Sequence, residues 1–249
     1  PPWVPDPDPV LWHGDPGDWD ADGFWLPAVI YDGAEFHMWY SGAQGIYTQG
    51  GYATSPDGST WTEYAGNPVL TVGDPGEWDD RHARPGPVIA DGATLKMWYS
   101  GYGSNNIVQI GYAESTDGGI TWNKLPEPVL AATTAPVWDQ RVCNPGVVMT
   151  GSQYYMLYSG YNPTSHWWRV GLASSSDGIQ WRRYDDENPV ISVVGEHTSA
   201  PALVFDGSTF HAWYGGWPFD LSTAATSYAT STGLVFADGF ENGGSSLWS

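Results

Sequence analysis

Met38-Trp39-Tyr40-Ser41-Gly42 returns as Met97-Trp98-Tyr99-Ser100-Gly101, then as Met156-Leu157-Tyr158-Ser159-Gly160, and in weaker form as Ala212-Trp213-Tyr214-Gly215-Gly216. The copies follow one another at roughly 60 residues, a period that marks a repeat architecture rather than unique sequence. A residue present in every copy builds the unit. Function is therefore sought where the copies differ.

Working outward from the second copy, Pro87 to Ala90 is a short apolar run closed by Asp91-Gly92. Leu95 to Tyr99 follows and ends at Gly101, Val108 to Ala113 makes a third run, and Thr121-Trp122 opens a fourth that reaches Leu130. Short runs punctuated by Gly and Asp, with no helical period, read as a four-stranded antiparallel meander. Four-stranded sheets repeated around an axis make an all-β propeller, which hides most sheet edges by radial packing. The 16 Trp and 15 Tyr residues suit the space between such sheets.

The expected organisation is one propeller domain over residues 1–237, with blades near 12–70, 71–130, 131–191 and 192–237 and a tail at 238–249. Trp3 and Asp8-Pro9-Val10-Leu11 match Trp122 to Leu130, so residues 1–11 read as an outermost strand. The last copy lacks that piece. The N-terminal strand closes a four-bladed ring, or a blade is missing from a five-bladed one, or the strand completes the last blade of a second molecule, which would give a homo-polymer or homo-oligomer.

Net charge is −20, with 8 basic against 28 acidic residues. Nucleic-acid binding, which needs clustered Lys and Arg, is excluded as a partner class. The single cysteine, Cys143, allows no intrachain disulfide and no thiolate zinc cluster. No apolar run approaches the ~20 residues of a membrane-spanning helix. Pro1 is not an initiator residue, so the chain reads as a processed or trimmed form consistent with a removed leader.

Met38 to Gly42, Gly51 to Ser55 and Asp57 to Trp61 together resemble the secreted bacterial propellers of the arabinanase, invertase and levansucrase type. Ser115-x-Asp117-x-Gly119-x-Thr121-Trp122 is similar to the Asp-box turn of sialidase-like propellers, where the Asp ties down a turn. The ending from Asp238 resembles that of many secreted bacterial proteins and implies an extracellular location. The resemblance implies catalytic acids at the start of the innermost strand, just before Pro. Here those positions hold Leu26, Arg84, Asn144 and Ala200, and none is a carboxylate. Glycoside hydrolysis needs two carboxylates about the scissile bond. Asp20, Asp79 and Asp139 recur after Trp19, Trp78 and Trp138 and read as braces of the scaffold. Asp22, Asp80 and Glu196 repeat less and are the catalytic candidates if the chain is an enzyme.

The loops leading into the innermost strands and those between second and third strands share one face, where binding residues concentrate. They hold Arg81, His82, Arg84, Arg141, Asn144 and His197, together with Tyr102, Tyr161, Trp167, Trp168 and Trp217. Aromatic faces beside polar groups suit a sugar ring, and Arg suits a uronate or sulfate. The same residue types also suit a protein partner, and each Arg could instead pair with a neighbouring Asp. Asp18, Asp20 and Asp22 have the D-x-D-x-D-G spacing of a calcium loop, without the acid expected at its twelfth position, where Val29 stands. No cofactor is required, and calcium is the ion this spacing would suit. The sequence thus leads to a non-catalytic secreted propeller that binds glycans or assembles with copies of itself, with a glycoside hydrolase carrying displaced acids as the alternative.

Overall fold

A computed structural model describes residues 8–134, 137–218 and 225–231. Every regular element among them is a strand. The first group is β1 (Gly23–Tyr31), β2 (Phe36–Gln44), β3 (Tyr47–Ser55) and β4 (Thr62–Glu63). The second is β5 (His82–Arg84), β6 (Val88–Asp91), β7 (Thr94–Tyr102), β8 (Val108–Ser115) and β9 (Asn123–Lys124). The third is β10 (Arg141–Thr150), β11 (Gln153–Tyr161), β12 (Trp168–Ser175) and β13 (Arg182–Arg183), and the fourth β14 (Glu196–Phe205), β15 (Phe210–Pro218) and β16 (Ala225–Ser231). Within each group the strands pair antiparallel as meanders, and one parallel bridge, Thr48 to His82, joins the first two groups. Residues 1–7, most of the expected outer closing strand, and the tail 238–249 lie outside the described residues.

The quoted motif is the middle strand of each meander, covered on both faces. Met38 and Tyr40 pack on one side with Leu11 and Ala53, while Trp39 packs on the other against Leu70, Met97 and Tyr99. A strand covered on both faces reads as a continuous apolar run, and this one does. The glycine that closes the motif is fixed by a close approach. A Cβ on Gly42, Gly101 or Gly160 would come within 2.3, 2.1 or 2.1 Å of Trp19, Trp78 or Trp138. The Trp of each Trp-Asp pair therefore lies flat where only hydrogen fits. The aspartates after those tryptophans are buried, Asp79 accepting from Tyr99 and pairing with Lys124, and Asp139 accepting from Tyr158 and pairing with Arg183.

Neighbouring groups are pinned by indole hydrogen bonds. Trp39 Nε1 donates to the Gly119 carbonyl at 3.0 Å, and Trp98 Nε1 to that of Gly178 at 2.7 Å. Each acceptor sits in a Ser-x-Asp turn of the next group. There Asp117 Oδ1 accepts from the Thr121 amide at 2.9 Å, and Ser115 Oγ from the Gly119 amide at 2.9 Å. Backbone donors, that of Thr121 foremost, hold the Asp117 carboxyl down to about 2, and likewise lower Asp177 through the Gln180 amide. A depressed carboxylate stabilises the fold above its ordinary value near ~4 and loses that contribution as pH falls through the folded value. Between about pH 4 and pH 2 the stability of the wild type should therefore drop more steeply than that of Asp117→Asn, as read from urea unfolding at each pH.

The fourth group is the exception. Trp213, in the position of Trp39 and Trp98, is 40% exposed, and Val204 and Tyr228 beside it are 48% and 52% exposed.

Candidate active site

The innermost strands share an irregularity that shapes the centre. Each of β1, β10 and β14 shifts register against its neighbour, between Trp25 and Ala28, Cys143 and Gly146, and Ser199 and Ala202. At each shift a non-glycine residue before a proline is left-handed: Leu26 at φ 55°, Asn144 at 49° and Ala200 at 51°. Proline disfavours a helical conformation in the residue before it, and left-handed non-glycine residues cost roughly 1–3 kcal/mol each. Bulges that re-aim a side chain are a device of active sites. In the second group the strand is instead interrupted, β5 ending at Arg84 and β6 starting at Val88.

All three bulge residues line a cavity of about 340 Å3 between the innermost strands. Its other walls are largely Pro, Gly, Ala and Val, with Ser100 adding a hydroxyl and Asn144 an amide, and no carboxylate among the described residues lines it. The Asn144 amide donates to Ser100 Oγ at 2.9 Å, which ties the second group to the third.

The sequence-derived binding residues gather at one end of the sheets in two clusters. In the first, His82 pairs across the strands with Tyr102, and their rings meet edge to face at 4.8 Å. Arg84 donates through Nη2 to His82 Nδ1 at 2.8 Å. Arg141 lies over the Tyr161 ring at 5.6 Å, and Tyr161 packs on Trp168 at 4.7 Å. In the second, His197 is stacked on Trp217 at 5.2 Å and meets Trp167 at 5.0 Å. The Trp168 amide donates to His197 Nδ1 at 3.3 Å and links the clusters. Arg81 is held by its own carbonyl, which accepts from Thr48.

Burial and the neighbouring Arg84 and Arg81 push His82 down to about 4, so the ring is neutral at pH 7 and accepts from Arg84. Burial likewise lowers His197, with Arg169 adding to the effect. Arg169 is a residue the sequence reading missed. It lies over Trp167 at 4.6 Å and donates to the carbonyls of Trp168 and Glu196. The signal was a difference between copies. The matching positions hold Gln49 and Gln109, whose side chains accept from the outer-strand amides of Val72 and Ala132.

The acidic candidates differ in their surroundings. Asp80 accepts from the amides of Gly76 and Ser104 and from the Ser104 hydroxyl, and these bonds lower it, Gly76 first. Asp22 accepts from the Gly45 amide at 2.6 Å. Glu196, at the end of β14 next to His197, has its carboxylate beside Gly216. The aspartates of the calcium-like loop turn to separate backbone donors, Asp18 to Asp15, Asp20 to Gly14 and Asp22 to Gly45. Among the described residues no three His, Cys, Asp or Glu side chains are grouped to hold a metal.

The profile of glycosyl hydrolase family 130, described as β-1,4-mannooligosaccharide phosphorylase, matches residues 85–211. The chain belongs to this family. An uncharacterized protein of Mycobacterium tuberculosis is 27% identical over 187 residues, 71% of this chain and 60% of the relative, so the chain spans about 60% of the curated relative it matches. Among solved structures, fructan 1-exohydrolase IIa from Cichorium intybus superposes with a TM-score of 0.68 at 18% identity, over 88% of this chain and 43% of that one. A structure from work on the family 130 mannoside phosphorylases, a family stated there to contain glycoside hydrolases that target β-1,2 mannosidic linkages in Candida mannan, gives 0.64 at 17%, over 86% and 68%. A family 32 β-fructofuranosidase from Bombyx mori gives 0.60 at 19%, over 84% and 46%. At these identities the likeness shows the fold alone, a propeller of the glycosidase type.

Membership of family 130 overturns the expectation of a non-catalytic propeller that binds glycans or assembles with itself. That expectation rested on the absence of acids at Leu26, Arg84, Asn144 and Ala200. The absence is confined to one ring of positions, whereas the family profile matches from Pro85 in the second group to His211 in the fourth. The chain is of glycoside hydrolase type.

Proposed function

We propose that the protein breaks glycosidic bonds in oligosaccharides bound across the aromatic rim of the cavity, with phosphate or water as the acceptor. The family match carries this reading. Glu196 is the acid that protonates the leaving sugar. Asp22 and Asp80 are each committed to loop amides, while Glu196 adjoins His197 in β14 and has its carboxylate beside Gly216. Phosphorolysis is favoured over hydrolysis by one observation, that no carboxylate among the described residues lines the cavity. A hydrolase needs a second carboxylate as base or nucleophile. Phosphate brings its own nucleophilic oxygen, so one protein acid suffices.

The ring is read as holding a further sheet between β14–β16 and β1–β4. Trp39 and Trp98 each reach a turn of the next group, whereas Trp213 is exposed, and the carbonyl of the first group's equivalent turn glycine, Gly58, accepts from Trp61 of its own group.

The test is incubation with β-1,4-mannooligosaccharides, with and without phosphate, reading mannose 1-phosphate and free mannose. Glu196→Gln should lower the rate about 10²–10⁴-fold, the usual contribution of a positioned acid. An unchanged rate would remove Glu196 from the chemistry, and Asp22→Asn and Asp80→Asn then locate the acid. No product from manno-, fructo- or arabino-oligosaccharides would overturn the proposed activity.

A further inference from the structure

In a chain of net charge −20, the cations that pair with carboxylates lie away from the rim cluster: Lys96 with Asp91, Lys124 with Asp79 and Arg183 with Asp139. Arg84 and Arg141 have no such partner among the described residues. Both guanidinium groups lie near Cys143, whose thiol burial pushes up to about 12 in spite of them, so it supplies no negative charge. Arg84 Nε is buried without an acceptor, and its Nη2 is held by the neutral His82 ring. A buried charged donor left unpaired is costly, and such groups in native structures have a water, an ion or a ligand as partner. Two cations with no counter-charge, one pre-oriented by a histidine, make a receptor for an anion.

The flanking rings narrow the class of anion. Tyr102 lies against His82, and Tyr161 lies under Arg141. Arg84 pairs across the strands with Ser100, one of the residues that line the cavity. An inorganic anion has no use for aromatic platforms. A sugar ring bearing a carboxylate uses both, its C–H face on a tyrosine and its charge on the guanidinium fork.

We propose that Arg84 and Arg141 form a subsite for the carboxylate of an acidic sugar, a uronate, beside the cavity residues Ser100 and Asn144. The subsite selects an anionic saccharide and is separate from the proton transfer assigned to Glu196. It rests on the glycosidase reading only in taking the ligand to be a sugar.

Calorimetric titration of the whole chain with methyl glucuronide, methyl glucoside and inorganic phosphate tests it. The glucuronide should bind at least about tenfold more tightly than the neutral glucoside, the difference made by charge-assisted bonds. High salt should reduce that preference. Arg84→Met and Arg141→Met should each abolish it, while Arg84→Lys keeps the charge without the fork and retains part. Should Arg84→Met fail to fold, Arg141→Met alone decides. Equal affinity for the charged and neutral sugars, a preference unchanged in the folded variants, or binding of phosphate without the glucuronide would each overturn the subsite. Loss of mannooligosaccharide cleavage with the preference intact would count against the proposed activity and not against the subsite.

Discussion

Trp98→Ala is expected to lower the stability of the fold by about 3–5 kcal/mol, in the range found for buried tryptophans and phenylalanines. Its side chain is fully buried and meets Tyr112, Tyr154 and Trp181 at ring distances of 5.5, 5.6 and 6.2 Å. Its indole also reaches the Gly178 carbonyl in the third group. Removing it opens a void between two sheets, where side chains from both sides relax only in part. Trp98→Phe should cost roughly half as much. Most of the volume stays, and the Gly178 carbonyl keeps a second donor in Trp181 Nε1 at 2.9 Å. Trp213→Ala should cost about 1 kcal/mol or less, because that indole is already partly in water. Urea unfolding of the three variants reads the order. A Trp213 loss equal to that of Trp98 would mean that its outer face is covered after all.

The meander was readable in the sequence because its signals are local. In the second group the expected runs 87–90, 95–99 and 108–113 became β6, β7 and β8, each within a few residues of its reading. The fourth run shrank to the two residues of β9, with Leu130 making a separate bridge to Ile110. Pro126 and Pro128 lie between and offer no N–H to a ladder. The short β5 was not foreseen, since its pairing with β7 and its bridge to Thr48 depend on residues far along the chain. The residues of the rim were legible by type and by difference between copies, but their mutual contacts were not. That His82 stays neutral to accept from Arg84 follows from burial, which no motif records. The left-handed turns at Leu26, Asn144 and Ala200 run against local preference and are held by the surrounding sheets. Those positions were correctly seen to lack acids, and the step from there to a protein without catalysis was the error. One ring of side chains cannot report on acids carried by other loops.

Asp79→Ala is expected to cost about 3–5 kcal/mol, the scale for breaking a buried ion pair from one side. Asp79 Oδ2 holds Lys124 Nζ at 2.7 Å and the Tyr99 hydroxyl at 2.9 Å, and the Asp79 and Lys124 side chains are 3% and 20% exposed. Without the carboxylate, the ammonium keeps the Thr71 carbonyl at 3.0 Å as its remaining oxygen acceptor and sits charged beside the Tyr99 ring. Adding Lys124→Met should restore part of the loss, since the penalty comes largely from the stranded charge and not from the attraction itself. Asp80→Asn, one residue on, should cost well under half as much, because its carboxylate faces solvent while bonding loop amides. The pair of results separates two kinds of acid that adjoin in the chain. Asp79 belongs to the set repeated after each Trp and should act on stability. If Asp80→Asn instead lowered turnover with an unchanged unfolding curve, the second acid of a hydrolase would be found, and water would replace phosphate as the acceptor.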